Sequence, residues 1–324
     1  MKKLFQLILS MLVLSFVIFY MARLSPGDPL KSYYGETVEQ MGTQKQELAR
    51  EKLGLDKPIY VQYGIWVKNA IKGDFGISYK YKADVLEVIG DVFVNTIILG
   101  LLAYILTFIL CTLLGIFCAL HEGKLLDRFV CTVGNILNAI PTFWVSLVLI
   151  LVFSINLNIL PSSGAYEIGM SGSIVSRIEH LILPLIVMVL GHLWYYAYMI
   201  RNKLLEEIRE DYVLLAKIKG ASNNVIIYKH CLRNIMPALV TIMAVSVPHI
   251  LGGTFVVEKI FSYPGMGSLT FESAKYHDYN MLMILCLITG AVIIISNLIA
   301  EVINNKIDPR TKQVRGEYFE LTQE

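Results

Sequence analysis

Two histidines, His192 and His249, are the ionisable residues that fall deep inside long apolar runs of this 324-residue chain. Imidazoles at bilayer depth could ligate a metal or relay a proton, and an ionisable group is costly enough there to need a reason. Neither has a His, Asp or Glu three or four positions away, which excludes the spacing that places two ligands and a base on one helical face. A hydrogen-bonded packing role is the expectation for both. Glu301 falls at the end of the last apolar run, within reach of water. Gly123-Lys124 fails as a phosphate loop: Leu125 follows it, and Cys118 stands where GxxxxGK[ST] needs its first glycine. The five cysteines, Cys111, Cys118, Cys131, Cys231 and Cys286, lie in or beside apolar runs, with neither a disulfide framework nor zinc spacing. Any ATP-driven work therefore needs another chain to bind the nucleotide.

The elements that carry these residues are membrane spans. Hydrophobic residues make up 55% of the chain and charged residues 17%, with a mean hydropathy of +0.59. That is outside the range of ordinary soluble domains. A formal charge of +2 gives no footprint for nucleic acid. Six runs are long enough to cross a bilayer, at about 4–22, 96–120, 129–154, 181–200, 235–257 and 282–303. The first is about 28 Å long as a helix. It exceeds a signal-peptide core and lacks a small-residue cleavage site after it, so it reads as an uncleaved span.

Basic residues in the short loops set the orientation. Lys2 and Lys3, Lys124 and Arg128, the 201–234 loop, and Lys306, Arg310, Lys312 and Arg315 outweigh Arg177, Lys259 and Lys275 in the opposing loops. Both termini and the 201–234 loop are expected to be cytoplasmic, in a multi-pass protein of the cytoplasmic membrane. Residues 23–95 read as an extracytoplasmic insert: Pro26, Gly27 and Pro29 stop the first span, and short helices are expected over 43–53 and 61–70. Gln62, Tyr63 and Trp66 there have two readings, partner contact or packing. Pro141, Pro184 and Pro248 are expected to kink their spans.

The most informative stretch is "DYVLLAKIKGASNNVIIYKHCLRN", residues 211–234. Asp211 starts a helix, Val213, Leu214, Leu215, Ala216 and Ile218 give it apolar surface, and Gly220 ends it before Ser222-Asn223-Asn224 restarts a second. Such a pair presents a compact apolar and basic knob to a soluble partner; a solvated interfacial helix has the same composition. The stretch resembles the cytoplasmic coupling loop of ABC-importer membrane subunits, in the form found in the dipeptide, oligopeptide and nickel permease family. Ala216 and Gly220 fall on the second Ala and the Gly of that superfamily's EAA-type motif, while Leu214 and Leu215 replace its Glu and first Ala. Pro237 comes one residue earlier than the resemblance implies. "LSPGDP" (24–29), "LGLDKPIYVQYGIWVKNAIKGDFGISY" (53–79) and "GGTFVVEKIFSYPGMGSL" (252–269) resemble further signatures of the same family. So do "DYN" (278–280), Asn297 and "DPR" (308–310), with Asn280 where the family commonly has Pro.

The resemblance implies an all-α integral membrane protein with six transmembrane helices in the type I ABC-importer permease fold. Its parts are the 1–22 helix, the 23–95 insert, a 96–303 core permease domain and a 304–324 cytoplasmic tail. The implied function is translocation of short peptides, with nickel or a metal chelate as the alternative cargo. The chain itself is not an enzyme and binds no cofactor; ATP and Mg belong to partner subunits. The implied partners are a second homologous permease, two ABC ATPase subunits, an extracytoplasmic solute-binding protein and the lipid bilayer. Asp211, Ala216, Lys217, Gly220, Ala221 and His230 are expected to couple to the ATPase. Tyr263, Pro264, Gly265 and Gly267, around a Pro-Gly turn, are expected to form an external gate or binding-protein contact. An ion-coupled carrier acting alone needs buried charges and an internal repeat, and an intramembrane enzyme needs facing catalytic groups; the sequence offers none of these.

Overall fold

In the computed structural model, residues 2–24, 30, 34, 37–52 and 54–307 are described. Most of "LSPGDP", Leu53, "DPR" and the rest of the tail to 324 lie outside the described residues. The helices are α1 (Lys2–Leu24), α2 (Thr43–Lys52), α3 (Ile59–Ala70), α4 (Val85–Leu120), α5 (Leu125–Asn138), α6 (Thr142–Leu149), α7 (Ile174–Ile208), α8 (Asp211–Ile218), α9 (Leu232–Ile260), α10 (Met266–Lys275) and α11 (Tyr279–Ile307). Short turns of helix lie at Thr37–Gln40 and Asn223–Val225, and π-helical segments run over Ile150–Asn156 and Ile226–Cys231. Among the described residues the sole β feature is an isolated bridge, Ile77 with Asp84.

Five helices are long and apolar enough to cross a membrane, and a sixth crossing exists only if a bent pair is taken as one span. The kink expected at Pro141 in the 129–154 run is a sharp bend: Leu125–Asn138 and Thr142–Asn156 meet at 94°. Pro141 explains the break, since it has no N–H to donate and disfavours helical geometry at the residue before it. By contrast Pro184, Pro237 and Pro248 lie inside α7 and α9, which continue through them. Helix α4 has 36 residues, about 54 Å, and begins at Val85 instead of near 96. A bilayer core is about 30 Å thick, so α4 carries turns that the apolar count left in the insert. Large apolar side chains such as Leu12, Ile109, Leu113 and Ile299 are exposed on the spans, as expected where the solvent is lipid.

The chain forms two compact units, one of residues 1–97 with 262–294 and one of 98–261 with 295–324. In the first, α3 lies on α1: Tyr63 packs edge-on to Phe16 at 5.2 Å, stacks beside Trp66, and its hydroxyl meets Ser15 Oγ at 2.8 Å. Of the two readings for Tyr63, packing is what the structure shows. Val85, Ile89, Met266, Leu269, Met281 and Leu285 form this unit's core, with Trp66 and Phe75 against it. In the second unit α7 is central, packed against α5 and α9. The α7–α9 approach needs Gly253, where an added Cβ would lie 3.0 Å from His192 Cε1.

Candidate functional site

The 211–234 stretch folds into the expected knob, with differences of detail. Glu210 is the residue before α8 and caps nothing with its side chain. Asp211 is the first helical residue, where its charge complements the helix N-terminus. At the other end, Ala221 N–H donates to Ala216 O (3.1 Å) and Gly220 N–H to Lys217 O (3.0 Å). These two bonds are the Schellman pattern, which needs a left-handed residue after the helix; Gly220 has φ +80°. Four of the coupling residues read from sequence, Ala216, Lys217, Gly220 and Ala221, thus form one hydrogen-bonded turn. Ser222 then accepts a bond from Val225 N–H and starts the next helix. That second helix is the beginning of the Asn223–Ile260 run, joined to α9 through the π segment that holds His230. Among the described residues, no hydrogen bond ties His230 to the Gly220 turn.

The knob has two faces. Val213, Ile226, Ile227 and Cys231 are buried beneath it, whereas Leu214, Leu215 and Ile218 are 60%, 51% and 75% exposed beside exposed Lys217 and Lys219. These three large apolar side chains form an exposed patch on an eight-residue helix. Glu207, at the end of α7, fastens the knob from below by accepting from Tyr212 Oη (2.7 Å) and Asn234 Nδ2 (3.0 Å). Burial, together with this carboxylate, pushes the Tyr212 phenol well above its usual range, so it stays a donor.

Between α5 and α7 lies an ion pair that sequence reasoning missed. Arg201 Nε and Nη2 bind Asp127 Oδ1 and Oδ2 at 2.7 and 2.6 Å, and Gly123 N–H donates to Asp127 at 3.0 Å. The Asp127 side chain is 2% exposed and that of Arg201 16%. Arg209 meets Glu122 at 2.7 Å in an exposed pair of little energetic weight. Sequence reading counted Arg201 only towards orientation, because 74 positions separate it from its partner and no periodicity relates them.

The segment after α9 is also tightly built. Ser262 takes φ +47°, Tyr263 is buried, Pro264 is exposed, and Gly265 precedes α10. Gly265 has no side chain with which to cap α10. Thr96 Oγ1 on α4 accepts from Met266 N–H (2.7 Å) instead, and Asn95 Nδ2 donates to Pro264 O (2.9 Å). The proposed gate residues thus sit on a turn clamped by α4, and Gly267 lies within the first turn of α10. Thr96→Val leaves a buried N–H unmatched, at about 1–3 kcal/mol. The expected result is faster proteolysis within 262–275 at unchanged membrane abundance; protection equal to the parent would contradict the clamp.

The "DYN" stretch has a structural explanation. Asp278 accepts from Ser78 Oγ and from Lys80 N–H, and Asn280 Nδ2 donates to Ile77 O at 3.0 Å. Lys80 Nζ and Tyr81 Oη both bind Glu272. Burial lowers the affinity of the Lys80 amine for its proton, but the Glu272 and Tyr81 hydrogen bonds outweigh it, and its pKa is raised. Residues 76–81 are therefore latched to α10 and the start of α11.

The two histidines differ from each other. His192 has a carbonyl oxygen opposite each ring nitrogen, Met188 O at 2.8 Å from Nδ1 and His249 O at 3.3 Å from Nε2, so the N–H of either tautomer finds an acceptor, as a packing role requires. The His249 ring is exposed and has no hydrogen-bond partner among the described residues, so the packing role expected for it is corrected. Its neighbours at i±4, Val245 and Gly253, offer no polar group. Among the described residues no cluster of three or more His, Cys, Asp or Glu could hold a metal.

Residues 111–313 match the family described as binding-protein-dependent transport system inner membrane component, and residues 1–100 match that system's N-terminal membrane-component family. The chain is 34% identical to the oligopeptide transport system permease protein AppB of Bacillus subtilis (strain 168), over 94% of this chain and 95% of that one. It is 32% identical to the metal-staphylopine import system permease protein CntB of Staphylococcus aureus (strain NCTC 8325 / PS 47), over 94% of each. Identity to the glutathione transport system permease protein GsiC of Escherichia coli (strain K12) is 32%, over 95% and 96%. The fold is similar to a chain of the inward-facing MetNI methionine ABC transporter, with a TM-score of 0.57 and 15% identity over 69% of this chain and 97% of that one. The long spans, the bent pair and the capped knob between the fourth and fifth crossings belong with these matches. The chain is a member of the binding-protein-dependent transport family: an integral membrane permease component of an ABC importer, working with substrate-binding components and with ATP hydrolysis on separate ATPase subunits.

Proposed function

We propose that the chain imports short peptides across the cytoplasmic membrane, with both termini and the knob in the cytoplasm. The observation that carries the coupling role is the exposed Leu214, Leu215 and Ile218 surface, locked in place by the Gly220 turn. One copy pairs with a second, similar permease, two ATPase subunits dock below, and an external binding protein delivers cargo. ATP and Mg reside on the ATPases, and this chain holds no cofactor. Asp211, Ala216, Lys217, Gly220, Ala221 and His230 form the ATPase contact. Apolar side chains fill the groove, and Lys217 orients the knob against acidic groove residues. Closure of the ATPase dimer then moves the knob as a body and switches access between the two sides. The turn of Tyr263, Pro264, Gly265 and Gly267 faces the external mouth, as gate or binding-protein contact.

The peptide and glutathione permeases among the relatives support a peptidic cargo, while the metal-staphylopine permease favours a metal chelate as second reading. Paired uptake separates them. A strain lacking only this chain is offered a labelled tripeptide and labelled nickel, with and without a complementing copy. Peptide uptake is expected to fall to background and return on complementation, with nickel unaffected. Loss of nickel uptake alone would overturn the peptide reading.

A further inference from the structure

We propose that the insert contains a second, extracytoplasmic receptor site: a cleft that binds a small zwitterion, with a free short peptide as its occupant. The cleft has a volume of about 390 Å³ and is bounded by the end of α1, by α2 and α3, and by the 74–79 loop. This lies within the roughly 300–1,000 Å³ of small-molecule sites. Every residue that lines it belongs to the unit of residues 1–97 and 262–294. On the proposed orientation, α1 ends beside the cleft at Leu24, which puts the cleft on the external side.

The side chains around the cleft select the ligand chemistry. Arg23 and Lys57 contribute positive charge, Glu51 and Asp74 contribute negative charge, and Trp66 and Phe75 supply aromatic surface. None of the four charged groups forms an ion pair with another among the described residues. Two of them are held by neighbours: Asp74 Oδ1 accepts from Gly76 N–H at 3.0 Å, and the Arg23 guanidinium lies 5.2 Å from the centre of the Phe19 ring. A purely anionic or purely cationic solute leaves one pair of charges facing a like charge. A neutral solute gains from neither pair, since Glu51, Lys57 and Asp74 are exposed and stay hydrated without it. A molecule with separated ammonium and carboxylate groups matches both, and an apolar side chain on it meets the aromatic wall. A free peptide has this chemistry, as does a zwitterionic phospholipid headgroup at the adjoining membrane surface.

The choice of peptide as occupant rests on the proposed function, and the test keeps the two apart. The assembled importer, without binding protein or ATP, is placed in phosphatidylglycerol nanodiscs and titrated with Gly-Leu-Gly while tryptophan emission is followed. Trp66 lies in the cleft, and Trp66→Phe identifies its share of the signal. The expected result is a saturable change, at least tenfold weaker for the N-acetylated, C-amidated peptide and at least tenfold weaker in Arg23→Gln and in Asp74→Asn. If phosphatidylethanolamine in the disc competes with the peptide in the parent but not in these variants, the zwitterion site stands and the headgroup is a second occupant. No saturable change, or a change indifferent to blocking and to both variants, overturns the proposal. Binding without peptide uptake sinks the transport reading alone, and uptake without binding sinks the cleft alone.

Discussion

Asp127→Ala is expected to be the most destabilising single change in the chain. It leaves the Arg201 guanidinium, 16% exposed, without either of its carboxylate bonds, and frees the Gly123 N–H as well. Removing one partner of a buried pair costs about 3–5 kcal/mol, because the remaining charge stays desolvated. In a chain of this size that corresponds to a fall of roughly 4–7 °C in the melting temperature of the detergent-solubilised protein. Arg201→Met is expected to do similar harm from the other side. The double variant Asp127→Leu with Arg201→Met is expected to recover most of the loss, since two apolar groups of similar volume replace the pair without stranding a charge. If the single variants melt like the parent, or the double variant is worse than either, the pair is not what holds α5 against α7.

Gly220→Val is expected to separate ATP hydrolysis from transport. No atom lies within 4 Å of where a Cβ would stand, so the substitution meets no steric clash and acts through the backbone alone. Holding a non-glycine residue at φ +80° costs about 1–2 kcal/mol, and more for a β-branched one. That penalty bears on the two bonds that return the chain to Ala216 and Lys217, and hence on the angle at which Leu214, Leu215 and Ile218 are offered. In proteoliposomes, uptake per ATP hydrolysed is expected to fall at least fivefold while the protein still inserts. Gly220→Asn, which tolerates the left-handed region, is expected to retain most coupling. Equal coupling in the Val and Asn variants would show that the turn does not set the knob's geometry.

The spans were legible because little except a bilayer calls for an unbroken apolar run of that length. The knob was legible because Gly220 and Ser222 punctuate it in the way helix ends require. The 94° break was only half legible: Pro141 announced a disturbance, yet apolar continuity on both sides hid its size. The Asp127–Arg201 pair was not legible, since Coulomb partners on different helices leave no local spacing to read. His249 went wrong for a related reason: apolar surroundings in sequence suggested burial, while in the fold its side of α9 is left open. The insert looked too poor in apolar residues for a core, and it has little of its own. Trp66 and Phe75 lean on Met266, Leu269 and Met281, which lie nearly two hundred residues later.

That distance matters during synthesis. Ser78 and Asp278, which close the latch on the 76–81 segment, are 200 positions apart. At about 5–20 residues per second, the ribosome needs roughly 10–40 s between making one and making the other. On the proposed orientation the insert emerges, crosses the membrane and waits for that interval with its docking partner not yet translated. A chain stopped before α10 would lack Glu272, Asp278 and Asn280 and so leave the 76–81 segment without the groups it closes on.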